Sequence, residues 1–161
     1  MSNWIVNCIV SERNVDRRAK LFKNFIETAK QCLELRNYNA VTAIVVAALG
    51  SAPVRRLVAT KERIEPEYLS CMHKMENLLD SRGNHKKYRE TLRTSQTPAV
   101  PYFGIYLKDL TFISDGNPDY LKGGVINLSK RRQVCYHIFF FLFKIVYFLL
   151  DNISNLSLIH I

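Results

Sequence analysis

The sequence predicts an all-α protein, and three observations carry that prediction. Apolar residues recur at alternating spacings of three and four over long stretches, no run alternates apolar with polar as a strand would, and helix-starting residues stand at the heads of the periodic segments. With 161 residues and 48% hydrophobic content, the chain is one globular domain of ordinary size with material for a core. No repeat of 20 to 50 residues and no low-complexity linker interrupts it.

The elements follow in order. Ser2 is placed to cap a short helix through Val10, with Trp4 as its large apolar anchor. Asn14 caps a long helix in which Val15, Ala19, Phe22, Ile26, Ala29 and Leu33 form one inward stripe. Asn37 and Asn39 break the chain before AVTAIVVAAL, residues 40–49, which is apolar all round and therefore predicted to lie at the centre of a bundle. Gly50 ends that helix. Pro53 and Pro66 each suit the first turn of a further helix, where a missing N–H costs nothing. Leu69, Met72 and Leu79 give the latter its inward stripe, and Asn84 and Tyr88 introduce a short helix ending near Thr97.

Enzyme chemistry finds little support. Cys8, Cys32, Cys71 and Cys135 lack C-x-x-C spacing and companion histidines, which argues against zinc and against a disulfide framework and for a reducing, cytoplasmic setting. His73 has no second ligand at i+4 and reads as a surface histidine; no metal and no cofactor are expected. Phosphate-binding, nucleophile-elbow and metalloprotease motifs are absent from the sequence. The formal charge of +9 points to an acidic partner, an anionic membrane face or nucleic acid. Arg131 and Arg132 stand without interleaved aromatics, so nucleic acid is not expected, and the pair reads as a solvated helix face or a phosphate-steering patch.

The stretch PYFGIYLKDLTFISDGNP, residues 101–118, has two sides. Phe103, Tyr106, Leu107, Leu110 and Ile113 fall at the spacing of one buried helix face. About half a turn away Gly104, Lys108, Thr111 and Asp115 form a small, mixed stripe, which composition alone reads as solvated. After residue 132 the composition changes abruptly: residues 134–150 are nearly all apolar, with His137 and Lys144 the exceptions.

SNWIVNCIV, RRAKLFKNFIETAKQCLELRNYNAV, GSAPVRRL, PYFGIYLKDLTFISDGNP and VINLSKRR, in this order and spacing, resemble the catalytic domain of the Ras-family guanine-nucleotide exchange factors, of the Son of Sevenless and yeast Cdc-twenty-five type. The resemblance covers residues 1–132. It implies an all-helical bowl with a protruding helical hairpin, whose first helix is PYFGIYLKDLTFIS and whose second begins at GGVINLSKRR. It further implies a small GTPase of the Ras, Rap or Ral type as partner, and release of GDP by insertion of the hairpin at the nucleotide and magnesium site. On that implication Asp115 and Thr111 eject the nucleotide, with Lys108 and Tyr102 beside them. Gly50, Arg55 and Asn84 contact the GTPase elsewhere.

Three departures from the family pattern set expectations. The fold is expected to be incomplete at both ends, because the match starts at the second conserved block and stops inside a later one; weak or no exchange follows for such a fragment. AVTAIVVAALGSAP is one residue longer than the family spacing, by a valine at position 45 or 46, which turns the helix register by about 100° unless a π-bulge absorbs it. Residues 133–161 are foreign to the family. They read as intron-derived sequence or as a membrane anchor contacting the inner face of the plasma membrane through 134–150, with Lys144 in mid-span weighing against the anchor. If this segment covers the first hairpin helix, Phe139, Leu142, Phe143 and Val146 are the stripe expected to face it, leaving Phe140, Phe141, Tyr147 and Phe148 to water. The rival functions are a non-catalytic GTPase-binding module and a membrane-tethered interaction protein.

Overall fold

The computed structural model describes residues 1–94 and 98–157. Among these the regular elements are helical, and the chain divides into two compact units, Met1–Gln96 and Thr97–Ile161. Where one domain was expected, the division falls between the helices before residue 97 and the hairpin after it. The last helix runs through position 132 without a break.

In the first unit, α1 (Ser2–Ser11) buries Ile5 and Ile9, not Trp4, whose ring is mostly exposed and meets Phe25 edge-on. Ser2 lies inside the helix instead of capping it. Its hydroxyl donates to the Ala43 carbonyl at 2.9 Å, a bond across forty-one positions that sequence cannot announce. α2 (Val15–Glu34) follows its periodicity: Ala19, Phe22, Ile26 and Ala29 are buried, Val15 and Leu33 half-buried. The Asn14 carboxamide accepts from the Arg17 N–H at 3.0 Å as the N-cap. Arg36, at φ 56°, turns the chain out of the helix, and Asn37 caps the next one by accepting from the Ala40 N–H.

α3 (Tyr38–Val41) continues as a π-helix over Thr42–Leu49. Its closing bond is i→i−5, from the Gly50 N–H to the Val45 carbonyl at 2.9 Å. The extra valine is thus taken up by widening the turn, so residues on both sides of it still face inward: Val41, Ile44, Val45, Ala48 and Leu49 are buried. The segment is not buried all round, because the widened turn puts Val46 and Ala47 outside.

α4 (Ala52–Arg55), α5 (Val58–Lys61), α6 (Pro66–Leu78) and α7 (Arg82–Thr94) complete the unit. Pro53 and Pro66 stand in first turns. Met72, Met75 and Leu79 are buried and Leu69 half-buried. Thr60, fully buried, accepts from the Arg18 Nε at 2.7 Å while the same guanidinium donates to the Glu12 carbonyl, tying α5 to the head of α2. The run Arg82–Thr94 opens with three left-handed residues, Gly83, Asn84 and His85, before turning α-helical. It buries Tyr88 edge-on against Tyr38, whose hydroxyl burial pushes up in pKa. The predicted end near Thr97 lies outside the described residues.

The second unit is a helical hairpin. α8 (Phe103–Gly116) and α9 (Leu128–Ser157) are joined by residues 117–127. Within that loop Tyr120 and Ile126 pair antiparallel, and the Leu121 N–H donates to the Val125 carbonyl at 2.7 Å around Gly123 and Gly124, both at positive φ.

Candidate functional site

The hairpin is fastened at its turn by Asn127 and by Lys130, which the sequence suggests only as a flanking charge of the apolar run. Asn127 caps α9: its Oδ1 accepts from the Lys130 N–H, and its Nδ2 donates to the Pro118 carbonyl at 3.0 Å. Lys130, only 6% exposed although it heads a basic run, sends its ammonium back to the Ser114 and Asn117 carbonyls at 2.8 and 2.7 Å and to the Asp119 carboxylate at 3.1 Å. It thereby supplies cationic donors to the C-terminal end of α8, where carbonyls lack intrahelical partners and the dipole favours positive charge. The hydrogen bond from Lys130, then its charge, hold the Asp119 carboxyl below the usual range. Arg131, exposed as expected, also reaches Asp119, at 3.2 Å. The recoverable signal was Asn127 immediately before a helix; the inward turn of Lys130 had none.

Lys130 also sets the phase of α9. Positions seven, eleven, fourteen and eighteen residues later return to its side of a helix, and those are His137, Phe141, Lys144 and Phe148, all buried or half-buried. Phe141 meets Phe103 and Tyr106 at 5.0 Å between ring centroids, and Phe140 stacks on Tyr106. Phe139, Leu142, Phe143 and Val146, the stripe expected to cover α8, are instead exposed. An aromatic run apolar on every side has no preferred face of its own, so the anchored lysine decides which side turns inward.

On α8 the buried residues are Ile105 and Tyr106, with Asp109, Leu110 and Ile113 half-buried beside them, whereas Phe103 and Leu107 are exposed. At 100° per residue this sector is rotated by about 70° from the predicted face, toward Ile105. Leu107 stays open because Phe103, Tyr106, Leu107 and Leu110 rim an apolar cleft of about 180 Å3 against His137, Ile138, Phe141 and Leu142. The rotation leaves the Gly104, Lys108, Thr111 and Asp115 stripe opposite the packed sector. Lys108, Thr111 and Asp115 are exposed, and Gly104 is half-buried beneath the Tyr102 ring, whose hydroxyl would lie 2.6 Å from a Cβ there. The Lys108 ammonium sits 5.4 Å from the Phe112 ring centroid, and the Thr111 hydroxyl donates to the Leu107 carbonyl at 3.0 Å. Asp115 occupies the last turn of α8, where an acid opposes the helix dipole by roughly 0.3–1 kcal/mol.

Tyr102, Lys108, Thr111 and Asp115 therefore share one helix and its head. Gly50, Arg55 and Asn84 belong to the first unit. Gly50 closes the π-helix, where a Cβ would lie 2.6 Å from the Val46 carbonyl oxygen. Arg55 is exposed at the end of α4. Asn84 is left-handed, and its carbonyl accepts from the Arg89 Nε at 2.8 Å. His73 is exposed and pairs with Glu76 at 2.8 Å. Among the described residues no three His, Cys, Asp or Glu side chains gather in a way that could hold a metal ion.

Comparison with known proteins adds to this geometry. The RasGEF domain family matches residues 1–132. The chain is 37% identical over 133 residues to the Ras guanine nucleotide exchange factor efc25 of Schizosaccharomyces pombe, covering 81% of this chain and 13% of that protein. It is 41% identical over 137 residues to Cell division control protein 25 of Saccharomyces cerevisiae, covering 83% of this chain and 9% of that protein. To the Ras-specific guanine nucleotide-releasing factor 1 of Mus musculus it is 35% identical over 138 residues, covering 86% and 11%. The chain thus spans about a tenth of the length of the curated relatives it matches.

Proposed function

The chain belongs to the RasGEF domain family, and from that membership we propose that it acts as a guanine-nucleotide exchange factor, promoting GDP release from a Ras-family small GTPase in the cytoplasm. The observation that carries this reading is the outward stripe of α8, with an acid kept at a helix end that electrostatics disfavours. An exposed acid with no local stabilising role is a candidate for work on a partner.

The physics is linkage without covalent chemistry. A protein that binds the nucleotide-free GTPase better than the nucleotide-bound form weakens nucleotide binding by the same factor. In the proposed complex the Asp115 carboxylate approaches the phosphate and magnesium site of the GTPase, where charges repel at short range with little screening. Thr111 occupies the adjoining volume, and Lys108 and Tyr102 dock the switch segment beside them. Gly50, Arg55 and Asn84 are proposed as contacts to other parts of the GTPase. Gly50 has a separate structural reason to be glycine, so its replacement would not isolate a binding role.

The test is release of labelled GDP from purified Ras-, Rap- and Ral-type GTPases by this chain and by Asp115→Asn. Acceleration of at least one GTPase, reduced about tenfold in the variant with helicity unchanged, is expected, a loss within the usual range of coupling energies. Binding of a nucleotide-free GTPase with no acceleration of release would replace the proposal by a non-catalytic binding module. Equal release by both proteins would remove Asp115 from the mechanism.

A further inference from the structure

The packed hairpin gives α9 two unlike sides. Its inner side takes the ring contacts to α8 and holds Lys144, 7% exposed, with its ammonium 5.9 Å from the centroid of the Phe140 ring. Its outer side begins with Arg131 and Arg132 and then carries no charged side chain from Cys135 to Leu150. Phe139, Leu142, Phe143 and Val146, central on that side, are each at least half exposed. Among the described residues, Leu128–Leu150 is the one helix long and apolar enough to cross a membrane, yet almost none of it is buried. An uninterrupted apolar strip of this size needs a cover.

We propose that α9 lies along the surface of an anionic phospholipid bilayer, its outer side among the acyl chains and Arg131 and Arg132 at the lipid phosphates. This contact is independent of nucleotide exchange. Three features favour it over the alternatives. The lysine that would be costly in hydrocarbon is turned to the inner side, and the arginines stand at one end, as a helix lying in the interface requires. A spanning α9 would carry its partner α8 into the hydrocarbon, and the outward surface of α8 bears Lys108 and Asp115. A second copy seated face to face would either bring the two arginine pairs together or lay each against the other's apolar end, whereas anionic lipid neutralises them. The protein's formal charge of +9 adds attraction at longer range.

The experiment is flotation of the full chain with phosphatidylcholine vesicles, with and without phosphatidylserine, beside sedimentation of the lipid-free chain. Expected are flotation with the serine-containing vesicles, weakening as salt rises, and clearly less flotation with pure phosphatidylcholine. Leu142→Glu should weaken binding at least about tenfold by placing a charge in the acyl region. Arg132→Glu should weaken binding to the anionic vesicles by about tenfold, and because it lies outside the α8 contact it tests the idea even if Leu142→Glu disturbs the hairpin. The proposal is overturned by equal flotation with both vesicle types, by binding indifferent to both substitutions, or by a soluble oligomer that ignores vesicles. Protection of the segment after Leu150 by intact vesicles from an external protease would also overturn it, in favour of a spanning helix.

Discussion

Each of the two units is stabilised internally by a different kind of force. The first is organised around an apolar π-helix, with Val45, Ala48 and Leu49 buried and neighbours from α1, α2 and α6 closing over it. Among its described residues the hairpin has few fully buried side chains. It is pinned instead at its turn by one buried ammonium and one asparagine, and along its length by aromatic rings. A core built from burial spreads its stability over many small terms, whereas a hairpin built this way concentrates it in two or three polar atoms. Single substitutions should therefore act more sharply in the second unit than the first, except where backbone meets backbone.

The largest expected effect tests the concentrated side. Lys130→Met keeps the apolar stem and removes the ammonium, leaving α8 carbonyls without donors; a loss of about 3 kcal/mol is expected. Hydrogen exchange should rise over 114–131 and stay unchanged in the core of the first unit. Its acidic partner adds a dependence on pH. Because the Asp119 carboxyl is depressed in the folded hairpin, its contribution is fully present above its unfolded pKa of about 3.9 and is lost as pH falls through the lower folded value. Amide protection in the loop, taken relative to the intrinsic exchange rate at each pH, should fall over that acid window, and Asp119→Asn should abolish this dependence. A loop indifferent to acid would mean the ion pair adds nothing to the hairpin.

Gly50→Ala comes next, at about 2 kcal/mol, because the new Cβ would meet the Val46 carbonyl oxygen at 2.6 Å and backbone must move to relieve it. The melt of the first unit should fall while the hairpin is spared; an unshifted melt would show that the closing turn of the π-helix relaxes freely. The smallest effect is expected from deleting one of the adjacent valines at 45 and 46. A π-helix that absorbs one residue should close to an α-helix on its removal, with stability changed by less than about 1 kcal/mol. A collapse of the cooperative melt would show that the wider turn is itself needed for packing, and would break the view of this core as distributed and tolerant.

Much of the architecture was legible locally. The stripe of α2 and its Asn14 cap, the proline-headed α4 and α6, and the helical nature of 103–116 follow from spacing and from backbone groups seeking nearby partners, and physics within one or two turns is enough to specify them. The outward stripe of Lys108, Thr111 and Asp115 was legible too, because a helix with one buried face must show its opposite. The family itself was recognisable from five blocks in order, and the match over residues 1–132 agrees.

What the sequence could not decide were the choices that depend on atoms distant in the chain. Trp4 looked like an anchor by size, but Ile5 and Ile9 fit the site α1 faces. The extra valine left the choice between a rotated helix and a widened turn, and packing on both sides of it selected the turn. In residues 134–150 the composition is apolar on every side, so nothing local distinguishes a face. Only when Lys130 reaches carbonyls thirteen and sixteen positions earlier is the rotation of α9 set, and with it which aromatics meet α8 and which are left outward. Short-range hydrogen bonding and periodicity determine that a segment is a helix; which way that helix turns is decided by the partner that satisfies its most demanding polar group.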